Sequence, residues 1–141
     1  MSAEVRERTV TKKEAALRQI TAAIEHYDKG EYECAITLAG AAEGQLTMNQ
    51  GDSHLFNQLK ELVPPEFKSQ KEWVNWINAA RDWLKHETPH WGDEWVISDH
   101  SAGTMILRAI NKFNWAYRQV TQRMINFEKE YRNSFLASKP N

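Results

Sequence analysis

The sequence predicts an all-α protein: an up-and-down helical bundle of four long helices plus one short helix. Three observations carry that prediction. Apolar residues recur every three or four positions along most of the chain. Helix start and stop signals bracket those stretches. No stretch alternates with the period of two that a half-buried strand requires.

The first helix opens at Thr11, with Glu14 three residues on, an S/T-x-x-E pattern in which each side chain answers a backbone N–H. Leu17, Ile20, Ile24 and Tyr27 follow at helical spacing, and Asp28-Lys29-Gly30 stops the helix. A second helix is expected from about Glu31 to Met48, with Ala35, Leu38, Ala39, Ala42 and Leu46 as its apolar stripe. Its centre, LAGAAEG, sets Gly40 and Gly44 one turn apart. Glycine costs roughly 1 kcal/mol in a helix interior relative to alanine. Close approach of another backbone, at a helix crossing or a dimer seam, would offset that cost. Glu43, in the same stretch, is either a buried acid near a cleft or an exposed one.

Asn49 to Ser53 reads as a loop and His54 to Val63 as the short helix, stopped by Pro64-Pro65. Ser69 to Glu72, SQKE, is the clearest start signal in the chain. It opens a helix with Trp73, Trp76, Ile77, Ala80, Trp83 and Leu84 on one face. Pro89 biases Thr88 away from helix, which places the end near His86. Glu87 to Ile97, ETPHWGDEWVI, is then a polar-aromatic loop, long for a helix connection. Ile106, Ile110, Phe113, Tyr117, Val120, Met124, Phe127 and Tyr131 hold one stripe for seven turns and predict a single long last helix. It exceeds what its own bundle would cover, a hint of self-association. Asn133 to Asn141 reads as a frayed tail.

The totals fit one domain over residues 1–141, with an ordered core at about 9–133. Hydrophobic residues make up 41% and charged residues 26%, ordinary for a globular chain. A net charge of -1 argues against a strongly basic nucleic-acid binder, though not against a local basic cleft. The single cysteine, Cys34, forms no internal disulfide and reads as a buried structural residue. No segment approaches the ~20 apolar residues of a membrane span. The amino-terminal MSAEVRERTVTKKE lacks the apolar stretch of a signal peptide, so a cytoplasmic protein is expected.

Residues 81–86, RDWLKH, hold the chemistry-bearing residue types. Asp82 and His86 are four apart, neighbours on one helix face, so the carboxylate is placed to accept from the imidazole. Arg81 lies at the margin of the apolar stripe, about 140° from His86 on an ideal helix. The two converge on one ligand only if the helix unwinds near Lys85 or a second chain completes the site. A histidine near neutral pH moves protons. An arginine fork holds phosphate oxygens. Lys85 adds positive potential, and the loop residues Trp91 and Trp95 offer stacking surfaces for bases, if they do not serve as core. The set suits cleavage of RNA by its own 2′-hydroxyl, which needs no metal or cofactor. It equally suits a polar helix end, since basic side chains are favourable against the dipole there. His86, Glu87, His90, Asp93, Glu94 and His100 are zinc-ligand types, but Pro89 and Gly92 break any i,i+4 arrangement, and solvated loop residues are expected instead.

The R-x4-H stretch, with a polar residue directly after the arginine, resembles the signature of the HEPN superfamily. LAGAAEGQL and RDWLKHE are similar to stretches of small bacterial HEPN-like proteins, and the likeness covers about the middle two thirds of the chain. The resemblance implies a helical bundle that forms a homodimer, bringing two R-x4-H motifs to one cleft. It implies a metal-independent endoribonuclease of toxin–antitoxin or phage-defence type, with RNA and a cognate antitoxin as partners. Arg81 would grip the scissile phosphate, His86 would be the acid–base residue, and Asp82 would orient it. Family toxins paired with a nucleotidyltransferase antitoxin usually carry tyrosine two residues after the histidine. Thr88 stands there in this chain. Many HEPN domains are not nucleases, so a non-catalytic module that dimerises or binds a partner protein or nucleotide is the alternative.

Overall fold

In a computed structural model, which describes residues 4–46 and 62–138, the chain is an all-α helical bundle. Its described helices are α1 (Lys12–Asp28), α2 (Tyr32–Gly44), α3 (Gln70–Lys85), α4 (Asp99–Tyr117) and α5 (Gln122–Ser138), with a 3-10 turn at Pro89–Trp91. The expected short helix lies outside the described residues except for its last two positions, of which Leu62 is buried.

Local signals set the helix ends. Thr11 Oγ1 accepts from the Glu14 N–H at 3.1 Å and starts α1. At its end Gly30 turns left-handed (φ 76°), so its N–H reaches Tyr27 C=O at 3.0 Å while the Glu31 N–H reaches His26 C=O at 2.9 Å. Ser69 Oγ caps α3 through the Glu72 N–H, and the Glu72 carboxylate answers the Lys68 N–H rather than that of Ser69. Ser98 and Ser101 close a full capping box at the start of α4, each hydroxyl accepting from the other's backbone N–H at 3.1 Å.

The core is contiguous. Ala16, Ile20, Ala23 and Ile24 of α1 meet Ala35, Ile36, Ala39 and Ala42 of α2. Small residues at these positions let the two backbones approach. α4 packs against both, and it is buried on every side from Ser101 to Ile110. A helix apolar all round belongs at the centre of a bundle, and α4 takes that place. α3 lies against α2 through Trp73, Ile77 and Ala80, and α5 covers α1 and α4 with Met124, Phe127, Tyr131 and Phe135.

Two expectations about the carboxyl-terminal half are corrected. The single last helix is two helices. Arg118 adopts a left-handed backbone (φ 53°, ψ 42°), and Thr121 restarts the helix by accepting from the Met124 N–H at 3.2 Å. The left-handed conformation costs an L-residue about 1–2 kcal/mol. The Arg118 guanidinium lying 4.7 Å over the Trp115 ring, together with the Thr121 cap, offsets it. The periodic stripe ran straight through because Tyr117, Val120 and Met124 keep helical spacing across the turn. Since the chain folds back, no overhanging helix remains to argue for self-association. The expected frayed tail is also helical, to Ser138, and Phe135 within it is 2% exposed.

Candidate functional site

Arg81 leaves α3 toward α2 and crosses it at Gly40. A Cβ built on Gly40 would stand 2.9 Å from Arg81 Cδ and 3.0 Å from Cγ. The small-residue stripe is therefore explained in half. Gly40 admits an arginine stem rather than another backbone, whereas a Cβ on Gly44 would meet nothing within 4 Å.

Beyond Gly40 lies Glu43, only 3% exposed, which settles the question left open by its position in the sequence. Its Oε1 accepts from Arg108 Nη2 at 2.5 Å and pairs with Lys112 Nζ at 3.1 Å. Its Oε2 is 3.8 Å from Arg81 Nη1 and has no hydrogen-bond partner among the described residues. Arg108 also donates to Asn78 Oδ1 at 2.8 Å, tying α4 to α3. Arg81 Nε and Nη2 share Asp82 Oδ1 at 3.4 Å each. One buried carboxylate thus gathers three cations from two neighbouring helices. Leaving it unpaired in this setting would cost several kcal/mol. Asn78, Arg108 and Lys112 were not singled out by motif. The signal was there: Arg108 interrupts the apolar run Met105–Ile110, and Lys112 sits one turn on.

His86 lies elsewhere. α3 stays helical through Lys85, and the His86 N–H still closes on Asp82 C=O at 2.9 Å. The backbone of His86 is then extended (φ -126°, ψ 157°), which ends the helix. Its exposed imidazole has no hydrogen-bond or ion-pair partner among the described residues. It lines an open cavity of about 420 Å³ with Trp83, Glu87, Thr88, Pro89, Gly92 and Asp93. The expected Asp82–imidazole bond is not formed; the Asp82 carboxylate turns to Arg81 instead. The helix does not unwind at Lys85, so of the two routes to convergence only a second chain remains. Lys85 is exposed at the same helix end.

The loop tryptophans form a layer. Trp95 stacks on Trp76 at 5.6 Å and on Trp83 at 6.1 Å, and Trp91 leans on it at 5.6 Å. Trp83 Nε1 donates to Gly92 C=O at 3.0 Å, which fastens the loop to α3. Trp95 is therefore packing in this chain, while Trp91 is 44% exposed and Trp76 37%.

The remaining candidates separate. Among the described residues no three His, Cys, Asp or Glu side chains are grouped to hold a metal ion. His100 packs edge-on against Phe135 at 4.8 Å. Cys34 is half-buried rather than buried, beside a cavity of about 280 Å³ lined also by His26, Thr37, Leu38 and Leu84. Burial, with Glu33 and Glu31 beside it, pushes its thiol above the usual range. No described helix is long and apolar enough to cross a membrane.

No protein-family model, curated protein or solved structure matches the chain.

Proposed function

We propose that this chain is a HEPN-like, metal-independent endoribonuclease that works as a homodimer in the cytoplasm, in RNA cleavage of toxin–antitoxin or phage-defence type. Arg81 binds the scissile phosphate. His86 from the same composite cleft moves the proton. The RNA 2′-hydroxyl attacks phosphorus, the O2′–P bond forms, and the P–O5′ bond breaks with proton delivery to the leaving oxygen. Asp82 orients Arg81 in this scheme, not His86, and Lys85 raises the local potential. The exposed face of Trp91 is available to a base, and Trp95 supports it from beneath.

The observation that carries the reading is the contrast between the two groups. Among the described residues Arg81 is held only by contacts of 3.4–3.8 Å, longer than a good charged hydrogen bond, so its donors are free to tighten on phosphate. His86 is unpartnered and open five residues on. Because the two diverge within one chain, the reading requires Arg81 and His86 from paired chains at one phosphodiester.

The test incubates wild type and His86→Ala with single-stranded RNAs of varied sequence in EDTA. Wild type should cleave, and the variant should lose about 10²-fold or more. Equal cleavage by both, or none by either, overturns the reading. Light scattering should give twice the chain mass.

The inward pairing of Arg81 with Glu43 favours a second reading, a non-catalytic module that binds a partner protein or nucleotide. Intact partner binding by an Arg81→Ala, His86→Ala double variant would select it.

A further inference from the structure

We propose that Lys112 on α4 joins Arg81 in a two-point grip on the phosphodiester backbone of single-stranded nucleic acid, with Arg108 and Glu43 as its buried base. This rests on the reading above for the phosphate contact of Arg81, but not on cleavage.

One cation balances the charge of Glu43. Arg108 supplies it from within: its Nη2 donates to Glu43 Oε1 and its Nη1 to Asn78 Oδ1, and its side chain is 9% exposed. Arg81 and Lys112 are additional, and both reach the surface, with side chains 27% and 20% exposed. They approach the same carboxylate through different oxygens, which keeps their charged ends near one another. Counting Asp82, three cations face two carboxylates. The surplus is one positive charge in a half-desolvated place, and one phosphodiester carries one negative charge. The donors are present as well. Lys112 has three ammonium hydrogens and one partner among the described residues. Arg81 has no contact shorter than 3.4 Å to either carboxylate. The missing Cβ at Gly40 is what lets the Arg81 stem lie where its guanidinium joins this group.

The experiment follows the anisotropy of a fluorescein-labelled single-stranded DNA of about 12 nucleotides, a length suited to single-strand grooves. Lacking 2′-hydroxyls, it binds without being cleaved. Wild type is compared with Lys112→Gln, Lys112→Arg and the exposed α5 control Lys129→Gln. Lys112→Gln should weaken binding several-fold and reduce the slope of log affinity against log salt by about 0.7, the share of one single-strand phosphate contact. Lys112→Arg and Lys129→Gln should behave as wild type. Acetylation of Lys112 in wild type, read by mass spectrometry, should fall when the oligonucleotide is saturating, a measurement independent of whether any variant folds. Unchanged affinity and slope in Lys112→Gln overturn the proposal, as do equal losses in Lys129→Gln, unprotected Lys112, or no binding by wild type. Binding lost in Lys112→Gln without RNA cleavage by wild type keeps the grip and refutes the nuclease. Cleavage that depends on His86, with Lys112→Gln binding unchanged, does the reverse.

Discussion

Two glycines with the same helical setting should answer substitution in opposite ways. Gly40 faces the flexible stem of Arg81, and Gly103 of α4 faces the ring of Tyr131, with which an added Cβ would collide. An arginine stem swings aside; a ring packed between Tyr27 and Phe135 does not. Gly40→Ala should therefore leave stability within about 1 kcal/mol of wild type, since the gain in helix propensity offsets the adjustment. It should still lower RNA cleavage, because Arg81 is displaced. Gly103→Ala should cost about 1–3 kcal/mol by overpacking. Urea denaturation of both variants, beside the cleavage assay, checks the pair. LAGAAEG announced small residues with a purpose, but a glycine does not say in sequence whether a backbone, an arginine or a tyrosine will use the space. The pairing of Glu43 with Arg108 was hidden for a related reason. The two residues lie 65 positions apart, and no local spacing connects them.

At the scale of elements, helix starts were legible wherever a side chain caps the backbone, as Thr11 and Ser69 do. The chain reversal after α4 was not. Its spacing reads as continuous helix, and only the packing of both halves on α1 favours the turn at Arg118. The same packing makes the last turns of α5 part of the fold. Phe135 seals His100 and Tyr131, so Phe135→Ala should destabilise the protein by about 3 kcal/mol, in the range of other core phenylalanine truncations. A thermal or urea melt decides the matter. A frayed tail would tolerate the change without loss.

For the molecule as a whole, the aromatic seam between α1 and α5 ties stability to alkaline pH. Burial first, then Asp99, Tyr32 and Asp28, push the Tyr27 phenol up to about 12. Burial also raises Tyr131, which donates to His100 C=O. Both groups bind their protons more tightly folded than unfolded. Their stabilisation is present in full below the ordinary tyrosine range near 10 and drains away as pH rises from there through 12. The urea midpoint should fall between pH 9.5 and pH 11.5, and less so in Tyr27→Phe, which has no proton to lose.

Periodicity, caps and the absence of alternating stretches determined that the chain is helical and where most helices begin, because those signals act over one or two turns. The RDWLKH stretch likewise named the residues of interest. Only the tertiary structure decided what they face. It turned Arg81 onto Glu43 through the space at Gly40, left His86 open with no partner among the described residues, and drew Arg108 and Lys112 in from α4. A buried charge selects its partners by proximity in space, across whatever length of chain the packing of the helices brings together.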